Sequence, residues 1–181
     1  SNDQLLYIID GIMKVSHLET GQVTLSKSRT LIRNISQTLY NQFRPHAIDK
    51  NISFDLDNGN VGEELEMFTD EGKLKQILTN LLDNAFKFTD RGFVEFRCFT
   101  EGDFIKFVVA DTGIGISHNE HEKIFERFYQ VSKKSSQVYS GTGIGLSICS
   151  GYASLLGGTL IVESEPGEGS VFTLTLPLRR N

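Results

Sequence analysis

Two neighbouring stretches decide the fold: residues 70–88 read DEGKLKQILTNLLDNAFKF, and residues 93–110 read FVEFRCFTEGDFIKFVVA. Apolar residues in the first stretch recur at helical spacing and predict an amphipathic helix. The second stretch contains two strand-like runs, 93–100 and 103–110, joined by Glu101-Gly102, which predicts an antiparallel hairpin. A helix beside an antiparallel hairpin favours an α+β two-layer sandwich over a doubly wound parallel sheet.

The same periodicities predict the elements on either side of this region. We expect Pro45 to stop or kink the helix before it, because proline lacks an N–H and crowds the preceding turn. Residues 129–142 are polar and turn-rich and are predicted to form a loop. The remaining predicted elements are helices over 3–18, 30–44 and 143–156, a short helical piece at 119–126, and strands at 22–27, 52–56, 159–164 and 170–177.

Length and composition narrow the class of protein. A length of 181 residues suits one domain with a short additional segment. The composition, 39% hydrophobic and 23% charged, is typical of a globular protein. A net charge of −5 argues against a broad nucleic-acid surface. No apolar run approaches the roughly 18 residues that a membrane span requires. Cys98 and Cys149 form no CxxC pair, so we expect reduced core thiols in a soluble intracellular domain.

Two glycine-rich clusters are candidates for ligand contacts. Residues 111–116, DTGIGI, follow a predicted strand, and residues 141–146, GTGIGL, precede a predicted helix. Glycine lets a backbone approach a ligand closely, and the free N–H groups of a helix N-terminus suit phosphate. The carboxylate of Asp111 suits the exocyclic amine of adenine. Taken alone, one cluster is more typical of a turn. Neither is a P-loop or a dinucleotide fingerprint, since both glycine spacings are absent.

The predicted helix over 70–88 carries a polar face near its end. Asn80, Asn84 and Lys87 lie on that face because they are spaced i, i+4 and i+7. An amide oxygen suits Mg²⁺, and a lysine contacts phosphate as a point charge. Phe88 is placed to lie against a purine ring. A solvated polar face remains an equally good interpretation of these residues.

A fourth element, residues 124–129, reads IFERFY and immediately precedes the polar loop. Phe125 and Phe128 are predicted to anchor that loop to the body of the domain. Plain core packing explains the two aromatic residues equally well, and both interpretations are compatible.

Along the chain the four elements follow in the order polar helix face, first glycine cluster, aromatic element and second glycine cluster. In that order they strongly resemble the catalytic ATP-binding domain of sensor histidine kinases, within the GHKL ATPase superfamily. Residues 80–89 are similar to the N box, 111–116 to the first glycine box, 125–128 to the F box and 141–146 to the second glycine box. The resemblance covers residues 22–178 and is specific because all four motifs are ordered. It implies an α+β two-layer sandwich in which a mixed, mostly antiparallel sheet packs on about three helices.

The resemblance also implies roles for individual residues. Asn84 would hold Mg²⁺, Asp111 would accept a hydrogen bond from the adenine amino group, and Phe88 would line the base pocket. Residues 129–142 would form the ATP lid. The residues implied to bind ATP are Asn80, Asn84, Lys87, Phe88, Asp111, Gly113, Gly115, Ile116, Phe128, Gly141, Thr142, Gly143, Gly145 and Leu146.

Asn80 and Arg127 are the candidate catalytic residues. Asn80 stands where the chaperone and gyrase branches of the superfamily place a glutamate that activates water. An amide is no strong base, which favours transfer to a protein over hydrolysis. Many kinases of the family have arginine where this chain has Gln130, and Arg127, Lys133 and Lys134 are the alternatives for supplying that charge.

The phosphoaccepting histidine of the family is expected outside this sequence. None of the four histidines, His17, His46, His118 and His121, lies in an H box. Residues 1–20 resemble the end of the second dimerisation helix, which leaves 21–181 as the catalytic domain.

The function implied is transfer of the ATP γ-phosphoryl group to a histidine of the dimerisation domain, followed by transfer to a response-regulator receiver domain. We expect a cytoplasmic domain of a homodimeric parent of a kind commonly anchored in the inner membrane. The chain alone is expected to be a monomer or weak dimer that binds no nucleic acid. The alternatives are a GHKL serine kinase of the anti-sigma type and a degenerate nucleotide-binding scaffold module.

Overall fold

The computed structural model describes residues 1–131 and 141–179. Over these residues the chain forms four α-helices and seven β-strands. Two short 3₁₀ turns lie between the fifth strand and the fourth helix, at His118–Glu120 and Lys123–Phe125. The helices and strands, in chain order, are α1 (Asn2–Glu19), β1 (Ser28–Leu31), α2 (Ile32–Lys50), β2 (Ser53–Asp57), β3 (Glu66–Thr69), α3 (Glu71–Phe88), β4 (Phe93–Glu101), β5 (Phe104–Asp111), α4 (Gly145–Leu155), β6 (Thr159–Glu165) and β7 (Gly169–Pro177).

The main sheet has five strands in the order β2-β4-β5-β7-β6. The β2–β4 pair is parallel and the other three pairs are antiparallel. Helix α2 packs against β2, α3 against β5 and α4 against β6. The predicted α+β sandwich, with a mixed and mostly antiparallel sheet on three helices, is therefore confirmed. A separate two-stranded sheet pairs β1 with β3.

Helix α3 lies at the centre of the helical layer. Seven of its residues are buried, among them Leu74, Leu78 and Leu81, and burial of each large apolar side chain contributes about 2 kcal/mol. Asp70 caps the helix by accepting a hydrogen bond from the Lys73 N–H at 3.1 Å. Its other carboxylate oxygen accepts from the N–H of Ser26, in the segment before β1, at 2.9 Å. Burial alone would raise the pKa of Asp70, but these hydrogen bonds and the Lys73 ammonium hold it below its usual value.

The strand predicted at 22–27 is wrong. That segment is irregular and the first strand begins only at Ser28. Its alternating pattern finds no partner strand, and it is instead held against the start of α3 by the hydrogen bond from Ser26 to Asp70. The sequence prediction also missed β3, a four-residue strand that pairs with β1.

The prediction that Pro45 stops its helix is wrong, because α2 runs through Pro45 to Lys50; the alternative of a kink stays a prediction. The helix ends where Asn51 adopts a left-handed conformation, with φ of 55°. Phe43 stacks on Phe86 at 5.7 Å between ring centroids, and Ala47 is also buried. This packing on both sides of the proline outweighs its local cost. The helical piece predicted at 119–126 is likewise corrected to two 3₁₀ turns.

Helix α1 packs against the beginning of α4. A Cβ atom on Gly11 would lie 3.4 Å from two carbons of Ile144, and one on Gly151 would lie 2.8 Å from Leu18. Away from these contacts, α1 exposes several apolar side chains, which are Leu5, Leu6, Tyr7, Ile9, Ile12 and Met13. Among the described residues, no helix combines the length and apolar character needed to cross a bilayer.

Candidate functional site

Asp111 ends the central strand β5 and opens the first glycine cluster. Its Oδ1 accepts a hydrogen bond from the N–H of Gly113 at 2.8 Å, and its side chain is half-buried. Burial raises the pKa of Asp111 above its ordinary value, although the N–H groups of Gly113 and Ser170 counteract part of that rise. The carboxylate is therefore partly desolvated, which strengthens any hydrogen bond that it accepts.

Backbone hydrogen bonds fix the loop that follows. The N–H of Ile114 donates to Phe88 at 3.3 Å, and the N–H of Gly167 donates to Ile114 at 2.8 Å. The N–H of Ile116 donates to the Ser164 hydroxyl at 2.8 Å, and that hydroxyl donates to the Gly169 carbonyl at 2.7 Å. The loop is thus held between the end of α3 and the β6–β7 hairpin.

The second glycine cluster leads into α4. Gly143 has φ of +72°, and its carbonyl accepts from the N–H of Phe128 at 2.9 Å. The residue before the helix, Ile144, makes no side-chain capping hydrogen bond, and the Thr142 hydroxyl accepts only a long bond of 3.4 Å from the Ile144 N–H. Within the part of the chain that the structure describes, no side chain therefore caps this end of α4, where the first N–H groups and the positive end of the helix dipole lie.

The polar face of α3 lies opposite this second cluster. The Asn80 Nδ2 donates to the Gly145 carbonyl at 3.4 Å. The Lys87 Nζ lies 2.8 Å from the position that a Cβ atom on Gly141 would take. Asn84 occupies the helical turn between Asn80 and Lys87 and is half-buried. The structure therefore brings the Asn80 amide to the N-terminal end of α4 and the Lys87 ammonium group to the cluster before it, with Asn84 on the same helix between them.

The aromatic element before the loop behaves differently at its two phenylalanines. Phe125 is half-buried, with its ring 6.4 Å from that of Phe172. Phe128 is 61% exposed and has φ of 58°, so its backbone, not its ring, is held against Gly143. The Tyr129 hydroxyl donates to Glu120 at 2.8 Å. Phe125 and Tyr129 anchor the end of this element, whereas the ring of Phe128 does not.

Arg127 forms an ion pair with Glu19, the last residue of α1. The neutral side chain of Gln130 donates to the carbonyl of Gly141. Of the alternatives for a charge at this end of the site, Lys133 and Lys134 lie outside the described residues. Most of the predicted ATP lid, residues 132–140, also lies outside them.

Three predicted binding residues are apolar: Phe88 at the end of α3, and Ile116 and Leu146, which end the two glycine clusters. Phe88 is half-buried at the end of α3, and the Lys87 Nζ lies 5.2 Å from the centroid of its ring. Ile116 and Leu146 are partly buried and pack against the core. These three apolar residues and Asp111 thus come from α3, the end of β5, the loop after β5 and the start of α4.

Sequence reasoning missed two residues that shape the site, Ser164 and Glu19. Ser164 hydrogen-bonds the first loop from a strand 48 residues further along, and Glu19 reaches Arg127 from a separate helix. Neither residue stands in a motif. The one signal in the sequence is that Ser164, a hydroxyl residue, takes an inward-facing position in the alternation of β6.

Comparison with known proteins identifies the family. The pattern described as histidine kinase-, DNA gyrase B- and HSP90-like ATPase matches residues 69–180. The chain belongs to this family. It is 33% identical over 186 residues to the autoinducer 2 sensor kinase/phosphatase LuxQ of Vibrio vulnificus strain YJ016, covering 99% of the chain and 22% of LuxQ.

Solved structures agree with this assignment. Full-length ShkA in complex with AMPPNP superimposes with a TM-score of 0.84 at 29% identity, over 98% of this chain and 36% of ShkA. The histidine kinase ThkA, solved in complex with the response regulator protein TrrA, shares the fold with a TM-score of 0.77 at 23% identity, over 98% of this chain and 49% of that one. The chain is an ATPase catalytic domain of the sensor histidine kinase type, and the two alternative functions are not favoured. It spans about a fifth of the length of LuxQ.

Proposed function

We propose that the cleft between α3, the two glycine clusters and the start of α4 binds ATP with its base at Asp111 and its phosphates at α4. The observation that carries this proposal is the pairing of a partly desolvated carboxylate at one end with an uncapped helix N-terminus at the other. The Asp111 carboxylate accepts a hydrogen bond from the adenine amino group, and Phe88 and Ile116 line the base pocket. Lys87 and the N–H groups of residues 141–146 bind the phosphates.

Asn84 is the proposed protein ligand for Mg²⁺. The described residues contain no group of three or more histidine, cysteine or acidic side chains that could enclose a metal ion. The amides of α3 fit an ion that binds few protein ligands and takes its other oxygens from phosphate and water. When bound, Mg²⁺ would neutralise phosphate charge. Asn84 would orient the phosphates, and Asn80 would hold the start of α4 through Gly145.

The parent protein is proposed to transfer the γ-phosphoryl group to a histidine and from there to a receiver domain. Support comes from the sensor kinase relatives and from ThkA, which is solved with a response regulator. Asn80 agrees with this reaction, because its amide cannot deprotonate a water molecule for hydrolysis. ATP positioning by the cleft would account for most of the catalysis.

Residues 1–20 are proposed to be part of a dimerisation helix, with residues 21–181 as the catalytic domain. The exposed apolar side chains of α1, such as Leu5, Ile9 and Met13, support this division, because one side of the helix already packs on α4 while the other lacks cover among the described residues. The proposed parent is a homodimer whose catalytic domain works in the cytoplasm, with an anchor in the inner membrane.

Calorimetric titration of this chain with AMPPNP, with and without Mg²⁺, tests the site directly. The sequence contains no tryptophan, so intrinsic tryptophan fluorescence cannot report binding. We expect one site whose affinity rises with Mg²⁺. In Asn84→Ala, AMPPNP should still bind but Mg²⁺ should no longer tighten it, whereas Asn41→Ala, on the exposed side of α2, should behave like the wild type. Absence of binding at millimolar AMPPNP would contradict the proposed function.

A further inference from the structure

The ion pair between Glu19 and Arg127 joins α1 to the aromatic element beside the second glycine cluster. Two apolar contacts precede it along α1, since Gly11 faces Ile144 and Leu18 faces Gly151, further along α4. Ile144 itself belongs to the proposed phosphate loop. Helix α1 therefore touches that loop through Gly11, while its last residue, Glu19, holds Arg127.

Arg127 immediately precedes Phe128, whose backbone contacts the proposed phosphate loop at Gly143. The N–H of Phe128 donates to Gly143 at 2.9 Å, and a Cβ atom on Gly143 would lie 2.7 Å from the carbonyl carbon of Phe128. Arg127 is thus one residue away from the backbone that contacts the loop. In this structure it pairs with Glu19.

We propose that Glu19 is a positioning residue that withholds the Arg127 guanidinium from the phosphates of bound nucleotide. This inference rests on the proposed function. Gln130, which is neutral, occupies the Gly141 carbonyl and supplies no charge there. Phosphate and the Glu19 carboxylate compete for one guanidinium, and both prefer the same two-pronged geometry. Docking of α1 and full engagement of the phosphates are then mutually exclusive at Arg127.

Partial exposure of both side chains makes this competition measurable. The Arg127 and Glu19 side chains are 46% and 47% exposed, and ion pairs in such surroundings are weak enough for a bound phosphate to displace them. Removing Glu19 should therefore free Arg127 without unfolding the domain. We expect Glu19→Gln to tighten AMPPNP·Mg²⁺ binding about two- to fivefold, the range that an exposed ion pair allows.

Three further variants separate this role from a structural one. Asp10→Asn removes the ion pair within α1 to Lys14, whose atoms are 2.7 Å apart, and should leave the affinity unchanged. Glu19→Asp keeps the charge and should restore the wild-type affinity. Adding Arg127→Gln to Glu19→Gln should abolish the gain, because the freed guanidinium is what produces it.

The experiment is calorimetric titration of each variant with AMPPNP·Mg²⁺, accompanied by its melting temperature. A gain in Glu19→Gln that disappears in the double variant, at unchanged melting temperature, supports the role of Glu19. If the wild type binds AMPPNP but Glu19→Gln binds it equally well, or if the gain survives loss of Arg127, the role of Glu19 is wrong. If the wild type does not bind AMPPNP, the proposed function is wrong as well.

Discussion

The two glycine clusters have similar sequences, yet the protein uses them differently. In the first, a Cβ atom on Gly113 would lie 2.4 Å from the Phe88 carbonyl oxygen, and one on Gly115 would lie 1.9 Å from the Glu165 carbonyl oxygen. In the second, Gly143 is likewise closed by backbone, since its Cβ atom would lie 2.7 Å from the Phe128 carbonyl carbon. A Cβ atom on Gly145, however, would meet nothing closer than the Asn80 amide at 3.8 Å. The first cluster is therefore closed by the protein's own backbone, whereas Gly145 leaves space.

This difference shows that a glycine motif can serve the fold or the ligand. Gly113 and Gly115 allow the loop to pack between α3 and the β6–β7 hairpin, which places Asp111 in a fixed position. Gly145 is the first residue of α4, where an alanine would suit the helix better. Under the proposed function, the space at Gly145 lets the phosphates of ATP approach the backbone closely. Substitutions in the two clusters should therefore fail in different ways.

Gly115→Ala should have the largest effect, and it should act on stability. The residue has φ of +71° in addition to the backbone clash, so we expect a loss of about 3 kcal/mol in the free energy of unfolding. Urea denaturation measures it. Gly102→Ala is the matched control, because φ is +59° there but no atom lies within 4 Å; it should cost only about 1 kcal/mol. Equal losses in both variants would show that the packing of the first cluster is unimportant.

Asp111→Asn should have the next largest effect, and it should act on binding. Loss of a charged acceptor for the adenine amino group should weaken AMPPNP binding by about 2 kcal/mol, or roughly 30-fold. The loop should remain folded, because an amide oxygen can still accept from Gly113. Titration calorimetry measures the change, with Asp103→Asn in the β4–β5 turn as a control. Unchanged affinity would exclude the proposed adenine contact.

Gly145→Ala should lower affinity while leaving the fold intact. The added methyl group would occupy the side facing Asn80, where a phosphate approaches the start of α4, and we expect about fivefold weaker binding, equivalent to about 1 kcal/mol. The melting temperature should stay the same or rise slightly, since alanine favours helix. A fall in melting temperature at unchanged affinity would reverse the assignment of the two clusters.

The smallest effect should be on the pH dependence of stability. Because the pKa of Asp111 is raised in the folded state, the native protein binds this proton more tightly than the unfolded chain does. Its contribution to stability is therefore greatest in acid and is lost as pH rises through the folded-state pKa. Asp70 acts in the opposite direction, since its pKa is lowered. Subtracting the stability of Asp111→Asn from that of the wild type, measured by urea denaturation across acidic pH, isolates Asp111. A flat difference would contradict its burial.

The parts of the fold that the sequence predicts are those with strong local signals. Helix α3 combines an N-cap, helical periodicity and seven buried residues, and β4 and β5 alternate across a two-residue turn. The β1–β3 pair has no such signal, since Ser28 pairs with Thr69, 41 residues apart (69 minus 28). The proline in α2 was misjudged because its local cost is known from sequence, whereas the packing of Phe43 and Ala47 is not.

The candidate site follows the same rule. Spacing on one helix groups Asn80 with Lys87, and the structure places these two residues beside the second glycine cluster. The hydroxyl of Ser164 and the carboxylate of Glu19 act through contacts between distant segments, so no local pattern reveals them. The ring of Phe128 was expected to anchor the loop, but its left-handed backbone turns it towards solvent.

The glycine contacts of α1 also determine how that helix can turn. One residue of an α-helix corresponds to about 100° of rotation, so a turn of that size would bring Asp10 or Ile12 to the place of Gly11. A single Cβ atom at Gly11 would already touch Ile144 at 3.4 Å, so the larger side chain of Asp10 or Ile12 would press on Ile144 at that place. The small residue at position 11 therefore favours the observed angular position of α1 on α4 over one turned by a single residue.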